Sequence, residues 1–175
     1  MMFEEIDYRN TPIGELALRR RRLSPEGKDI WEIKLNDGYL MSSKFIDGEI
    51  ALADLALAMI DGTALDIVVG GLGLGYTAEA ALRDPRVAAL TVIELIPEVI
   101  EWHEKRLLPL GETVAGDARC HLQRVISSPS PALSQVLAKP AVWAMMPSLS
   151  ISTIRRPTSS TARARPSTAR RRSPR

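Results

Sequence analysis

Four glycines and one acid are the residues of this chain whose types and spacing could do chemistry. The stretch Asp66-Ile67-Val68-Val69-Gly70-Gly71-Leu72-Gly73-Leu74-Gly75-Tyr76-Thr77 runs from a β-branched apolar segment into a glycine-rich turn, and a helical pattern (Ala78, Glu79, Ala80, Ala81, Leu82) follows at once. Strand, tight turn and helix in that order let a backbone without Cβ atoms approach a nucleotide or nucleoside closely. A second apolar run, Leu90-Thr91-Val92-Ile93, ends in Glu94. An acid at the tip of the second strand is where such folds hold ribose hydroxyls.

The glycine spacing narrows the ligand. A dinucleotide fingerprint needs glycines at relative positions 1, 3 and 6. Counted from Gly71, position 3 is Gly73 but position 6 is Tyr76; counted from Gly70, position 3 is Leu72. The NAD pattern therefore fails. So does the phosphate-binding loop, because no lysine follows the turn. What holds is Gly71-x-Gly73-x-Gly75 with Glu94, and these four residues form the candidate cofactor-binding set. Their ligand need not carry a pyrophosphate. A packing turn that binds nothing is the alternative.

No catalytic or metal-ligating residue stands beside them. Two histidines and one cysteine make no metal-ligand cluster, and no Ser/His/Asp arrangement is visible. His103, next to Trp102 on the helix after Glu94, is expected to pack or to face solvent. Arg19-Arg20-Arg21-Arg22 could touch nucleic acid or a membrane, but a strand divides four neighbours between two faces and the surrounding segment is acidic. A solvated strand end is the reading adopted.

Such a site must be positioned by a parallel sheet, and the residue pattern supplies one. Residues 3–22 and 30–41 alternate polar and apolar side chains, with Asn36-Asp37-Gly38 as a hairpin turn, which predicts a small antiparallel β unit over residues 1–48. Leu52, Leu55, Ala56 and Met59 recur at helical spacing from Glu49 to Ile60. Then come a strand over 65–69, a helix over 76–83 stopped by Asp84-Pro85, a strand over 90–94, and a helix over 97–107 with Pro97 in its first turn. This alternation predicts an α/β, Rossmann-like, parallel doubly wound sheet, with residues 49–123 as its nucleoside-binding half.

The whole chain is less uniform than its totals. Its 175 residues suit one domain with a full core. All 21 acidic residues lie at or before Asp117 with 12 of the basic ones, so that span carries a formal −9; residues 118–175 carry 11 basic residues and no acid. A lone cysteine, Cys120, excludes an intrachain disulfide. No signal peptide or long apolar run is evident, so a cytoplasmic location without membrane contact is the expectation.

The residues now resemble a family. Gly70-Gly71-Leu72-Gly73-Leu74-Gly75-Tyr76-Thr77-Ala78, Asp84-Pro85-Arg86-Val87, and Val92-Ile93-Glu94-Leu95-Ile96-Pro97-Glu98-Val99-Ile100-Glu101-Trp102-His103 look like spermidine-synthase-like proteins, aminopropyltransferases of the class I methyltransferase fold. Upstream, Leu35 to Ser43 and Glu49 are similar to the segment joining that family's N-terminal β domain to its core. The resemblance spans roughly residues 10–123. It implies that the glycine turn holds the methionine end of S-adenosylmethionine or its decarboxylated form, and that Glu94 holds the ribose hydroxyls. The chain departs from the family where a glutamine falls at Met41 and where a tyrosine and a His-Glu pair fall near Leu52, Ala53 and Asp54. Apolar Met41 and Leu52 cannot hydrogen-bond an ammonium group.

Residues 124–175 read as a different polymer. They are built of Ser, Pro, Ala, Thr and Arg and end in Arg170-Arg171-Arg172-Ser173-Pro174-Arg175. Taken literally they form a disordered basic arm, and nucleic acid is a partner only if that arm is genuine. An offset reading frame explains them differently. It permits Gly-Asp-Phe-Phe from Arg124 to Ser128, forces Asp-Ala at Met145-Met146-Pro147, and permits Asp-Ile-Asp-His-Ser-Pro from Ser150 to Arg156. The first and last strings look like the family's third- and fourth-strand motifs, so a frameshift near residue 123 is the expectation. As written, the chain lacks the acids that the resemblance assigns to adenine contact and to the general base. The fold would then be C-terminally incomplete, with an edge of the sheet left unpaired. A transferase inactive as written, a methyltransferase, a non-enzymatic binding protein and a homodimer built on the nucleotide fold all stay open.

Overall fold

Alternating strands place their apolar residues on one face, and the start of the chain turns that face to the core. In the computed structural model, which describes residues 2–124 and 143–145, β1 (Met2–Thr11), β2 (Gly14–Arg22), β3 (Ile30–Leu35) and β4 (Gly38–Ser42) form an antiparallel meander in that order. Leu16, Leu18, Ile33 and Met41 are its buried residues on the core side. The hairpin expected at Asn36 is present: Leu35 pairs with Gly38 across it, and Asn36 takes φ 53°. The arginine run lies along β2 and is charge-compensated, Arg19 by Glu5, Arg20 by Glu4, Arg21 by Glu32 and Arg22 by Asp29.

Continuous apolar strands need cover on both faces, which parallel sheets obtain from crossover helices. After α1 (Asp47–Ala58) the chain runs β5 (Leu65–Gly70), α2 (Tyr76–Leu82), β6 (Val87–Glu94), α3 (Pro97–Glu104), α4 (Gly111–Ala115), β7 (Cys120–Arg124) and β8 (Trp143–Met145). The four strands are parallel in the order β7-β6-β5-β8. Ile67, Val68, Val69, Leu90 and Val92 are all buried. Strand order reverses between β5 and β8, so the sheet has its switch point at the end of β5. Ligands of open α/β sheets bind in the crevice at such a point.

Four details differ from the sequence expectation. The buried face of α1 is Ala53 and Leu57, facing Ile67, Val69, Thr77 and Ala81, whereas Leu55 and Met59 are 67% and 88% exposed. That helix is apolar on nearly every side, so spacing alone does not select a face. The helix begun at Pro97 ends at Glu104, not near 107. Leu107 N–H bonds to Trp102 O at 2.9 Å and Arg106 N–H to His103 O at 3.0 Å, with Arg106 at φ 58°: a Schellman cap. The chain then turns into α4, a five-residue helix too short to carry a periodic signal. Finally, a short strand that was not expected, Trp143–Met145, lies parallel to Val68–Gly70, and among the described residues the edge of the sheet falls on β8. Backbone pairing asks nothing of composition. The rest of the basic segment, residues 125–142 and 146–175, lies outside the described residues, and so do the readings made on it.

Candidate functional site

The end of β5 sets the site. Gly71, Gly73 and Gly75 have φ 88°, 51° and 91°, the left-handed region in which a Cβ is strained. Gly71 N–H donates to Ile93 O at 2.8 Å and Gly75 N–H to Leu72 O at 2.9 Å. The turn is thus closed on itself and pinned to β6. Gly75 is also the residue before α2, and a Cβ there would stand 2.8 Å from His103 Cε1 and 3.3 Å from Val114 Cγ2.

Glu94, at the end of β6, is 7% exposed and reaches across to this turn. Its Oε2 accepts Leu72 N–H at 2.7 Å and Gly73 N–H at 3.5 Å; its Oε1 accepts Leu95 N–H at 2.7 Å and Ile96 N–H at 2.8 Å. Amide donors compensate the burial of a carboxylate without a cation. Glu94 therefore braces two turns, one after β5 and one after β6. A carboxylate offers about four acceptor positions. Three are filled at 2.7–2.8 Å and the fourth only by the 3.5 Å contact, so the acid retains capacity for a hydroxyl donor. The four sequence candidates are one constellation in space.

His103, expected to pack or to face solvent, packs against the turn, and the sequence did not mark it as part of the site. It is fully buried at 0% exposure, with Nε2 3.0 Å from Gly73 O. A carbonyl only accepts, so Nε2 carries the proton and Nδ1 is the bare nitrogen. Nδ1 is buried with no partner among the described residues. Burial pushes the imidazole below its usual range, against the opposing pull of the Gly73 bond and the Glu94 charge. The only sequence signal was its place on the helix after the strand-end acid, which does not say which face meets the turn.

Surrounding groups fix the frame. Arg86 pairs with Asp84 and donates to Leu57 O and Ile60 O, the end of α1; Arg119 pairs with Asp117 and donates to Leu82 O and Val87 O. Each Asp-x-Arg staples a strand start to a preceding helix end, so Asp117 is structural. Trp102 Nε1–H donates to Asp7 Oδ2 at 2.7 Å, and Arg9 bridges Asp7 and Glu101, which ties β1 to α3. Burial alone would raise the Asp7 carboxyl, but the hydrogen bonds from Arg9 and Trp102 outweigh it and hold Asp7 below the usual range. Met41 is buried in the core at 7% exposure. Among the described residues no group of three or more His, Cys, Asp or Glu could hold a metal ion, and no helix is long and apolar enough to cross a membrane.

No family model matches the sequence. Solved structures match the fold. A spermidine synthase in complex with the transition state analogue AdoDATO aligns with a TM-score of 0.55 at 18% identity, over 69% of this chain and 39% of that one. The spermidine synthase from Thermotoga maritima aligns with a TM-score of 0.56 at 18% identity, over 70% of this chain and 41% of that one. The chain has a spermidine-synthase-like fold and spans about two-fifths of the length of these structures.

Proposed function

We propose that this chain is the nucleoside-binding half of a spermidine-synthase-like transferase. It binds S-adenosylmethionine or its decarboxylated form through Gly71, Gly73 and Gly75, with Glu94 on the ribose hydroxyls. One observation carries this reading: the strand-end acid and the left-handed glycine turn meet at 2.7 Å, at the switch point of a parallel sheet. The shared fold supports it. When bound, the sulfonium supplies an activated alkyl group, either methyl or aminopropyl. The chain's own residues bind and orient; the acids that the resemblance assigns to the general base would fall after Asp117, where the chain carries none. Binding without transfer is therefore the proposed activity of the chain as written. Methyl transfer is the alternative for the ancestral reaction, because the acceptor side carries the difference and Met41 and Leu52 do not reproduce the family's polar groups.

Calorimetric titration with each nucleoside tests the reading. The expected result is saturable binding by the wild type, weakened by about tenfold or more in Glu94→Gln, with both proteins melting at similar temperatures. No binding by the wild type, or equal binding by a folded Glu94→Gln, contradicts it.

A further inference from the structure

Among the described residues, His103 Nδ1 is the buried side-chain polar atom left without a partner. A hydrocarbon side chain of similar size would fill that space without stranding a nitrogen, and stranding one costs folding free energy. The histidine must therefore do something that a hydrocarbon cannot. Its other nitrogen shows what: Nε2–H holds the carbonyl of Gly73 at 3.0 Å, inside the turn that Glu94 grips from the opposite strand. A peptide group is planar and trans, so its carbonyl and its N–H point in opposite directions. Drawing Gly73 O toward α3 turns the Leu74 N–H to the side away from His103.

We propose that His103 is a positioning residue of the glycine turn. Its Nε2–H orients the Gly73–Leu74 peptide and presents the Leu74 N–H as a donor to an acceptor atom of the ligand. The Glu94 carboxylate and the His103 imidazole thus hold the turn from two sides: the acid takes the N–H groups of residues 72 and 73, and the imidazole takes the carbonyl of residue 73. Gly75 allows this, because any Cβ there would strike the imidazole edge at 2.8 Å. The ligand part of this inference rests on the nucleoside reading above; the conformational part does not.

Two variants separate donor from shape. His103→Gln keeps an N–H donor at the reach of Nε2 without a ring, and His103→Phe keeps the ring without a donor. In the ligand-free protein, hydrogen exchange is read at the Gly75 amide, which closes the turn onto Leu72 O. Exchange should speed up by about tenfold in His103→Phe and stay within about threefold of wild type in His103→Gln. The affinity for S-adenosylmethionine should follow the same order. Slow exchange in a folded His103→Phe, or fast exchange in both variants at wild-type melting temperature, overturns the proposal. Should neither variant fold, the long-range nitrogen–proton spectrum of the wild-type imidazole decides: a proton on Nε2 supports the role and a proton on Nδ1 rejects it. An exchange pattern as expected with no nucleoside binding would retain His103 as the organiser of the turn and sink the proposed function alone.

Discussion

A buried carboxylate and a buried imidazole lie on either side of one glycine turn, and neither forms an ion pair among the described residues. Glu94 accepts three backbone amides at 2.7–2.8 Å and a fourth only at 3.5 Å, which explains how it is 7% exposed without a cation. His103 is neutral for a different reason: burial disfavours its charged form. Its folded pKa lies below that of the unfolded chain, so the unfolded chain takes the proton first as pH falls. Stability from this group is therefore complete above about 6.5, the ordinary histidine value, and is lost as pH drops below it, levelling off once the folded imidazole also protonates. Melting temperature should be flat above neutrality and decline on acidification before the carboxylates titrate. His103→Gln should remove that first decline, and an unchanged profile in the variant would contradict the assignment. Glu94 and the three glycines were legible because residue type and spacing state their conformations. His103 was expected to pack or to face solvent, but its contact with the turn was not legible, because only the packing of α3 sets it.

Elements were legible where punctuation residues wrote their ends. Pro97 opens α3, Asp84-Pro85 stops α2, and Asn36 turns the β3–β4 hairpin. The end of α3 was not, because the residue in the left-handed position of its cap is Arg106, and arginine is no stop signal. A non-glycine residue in that conformation carries strain of about 1 kcal/mol. Arg106→Gly should therefore stabilise the protein by up to about 1 kcal/mol in urea unfolding, although it also loses the surface ion pair with Glu112, which is worth little. A destabilised variant would mean that the cap is held by the arginine side chain and not by the backbone. The face of α1 illustrates the other limit. Leu52, Leu55, Ala56 and Met59 keep helical spacing, yet Ala53 and Leu57 enter the core, because contact with α2 and β5 selects the side once all sides are apolar.

At the scale of the molecule, two four-stranded sheets are held together by few polar bonds and one continuous core. The bond from Trp102 to Asp7 anchors the antiparallel sheet to α3, the helix that also carries His103. The acidic character of residues 1–117 and the acid-free remainder were plain in the sequence, as was the order of strands and helices from β3 to α3. The pairing of Trp143–Met145 with β5 was not, since it depends on exposed backbone groups and not on side-chain pattern. The central claim, that the glycine turn and Glu94 together form a nucleoside site, has a direct test in backbone amide spectra recorded during a titration with S-adenosylmethionine and with its decarboxylated form. The account predicts saturable shifts at Leu72, Gly73, Leu74, Leu95 and Ile96, with the amides of β1 to β3 unmoved. Saturating concentrations that leave those five amides in place, or shifts centred elsewhere in the chain, would contradict it.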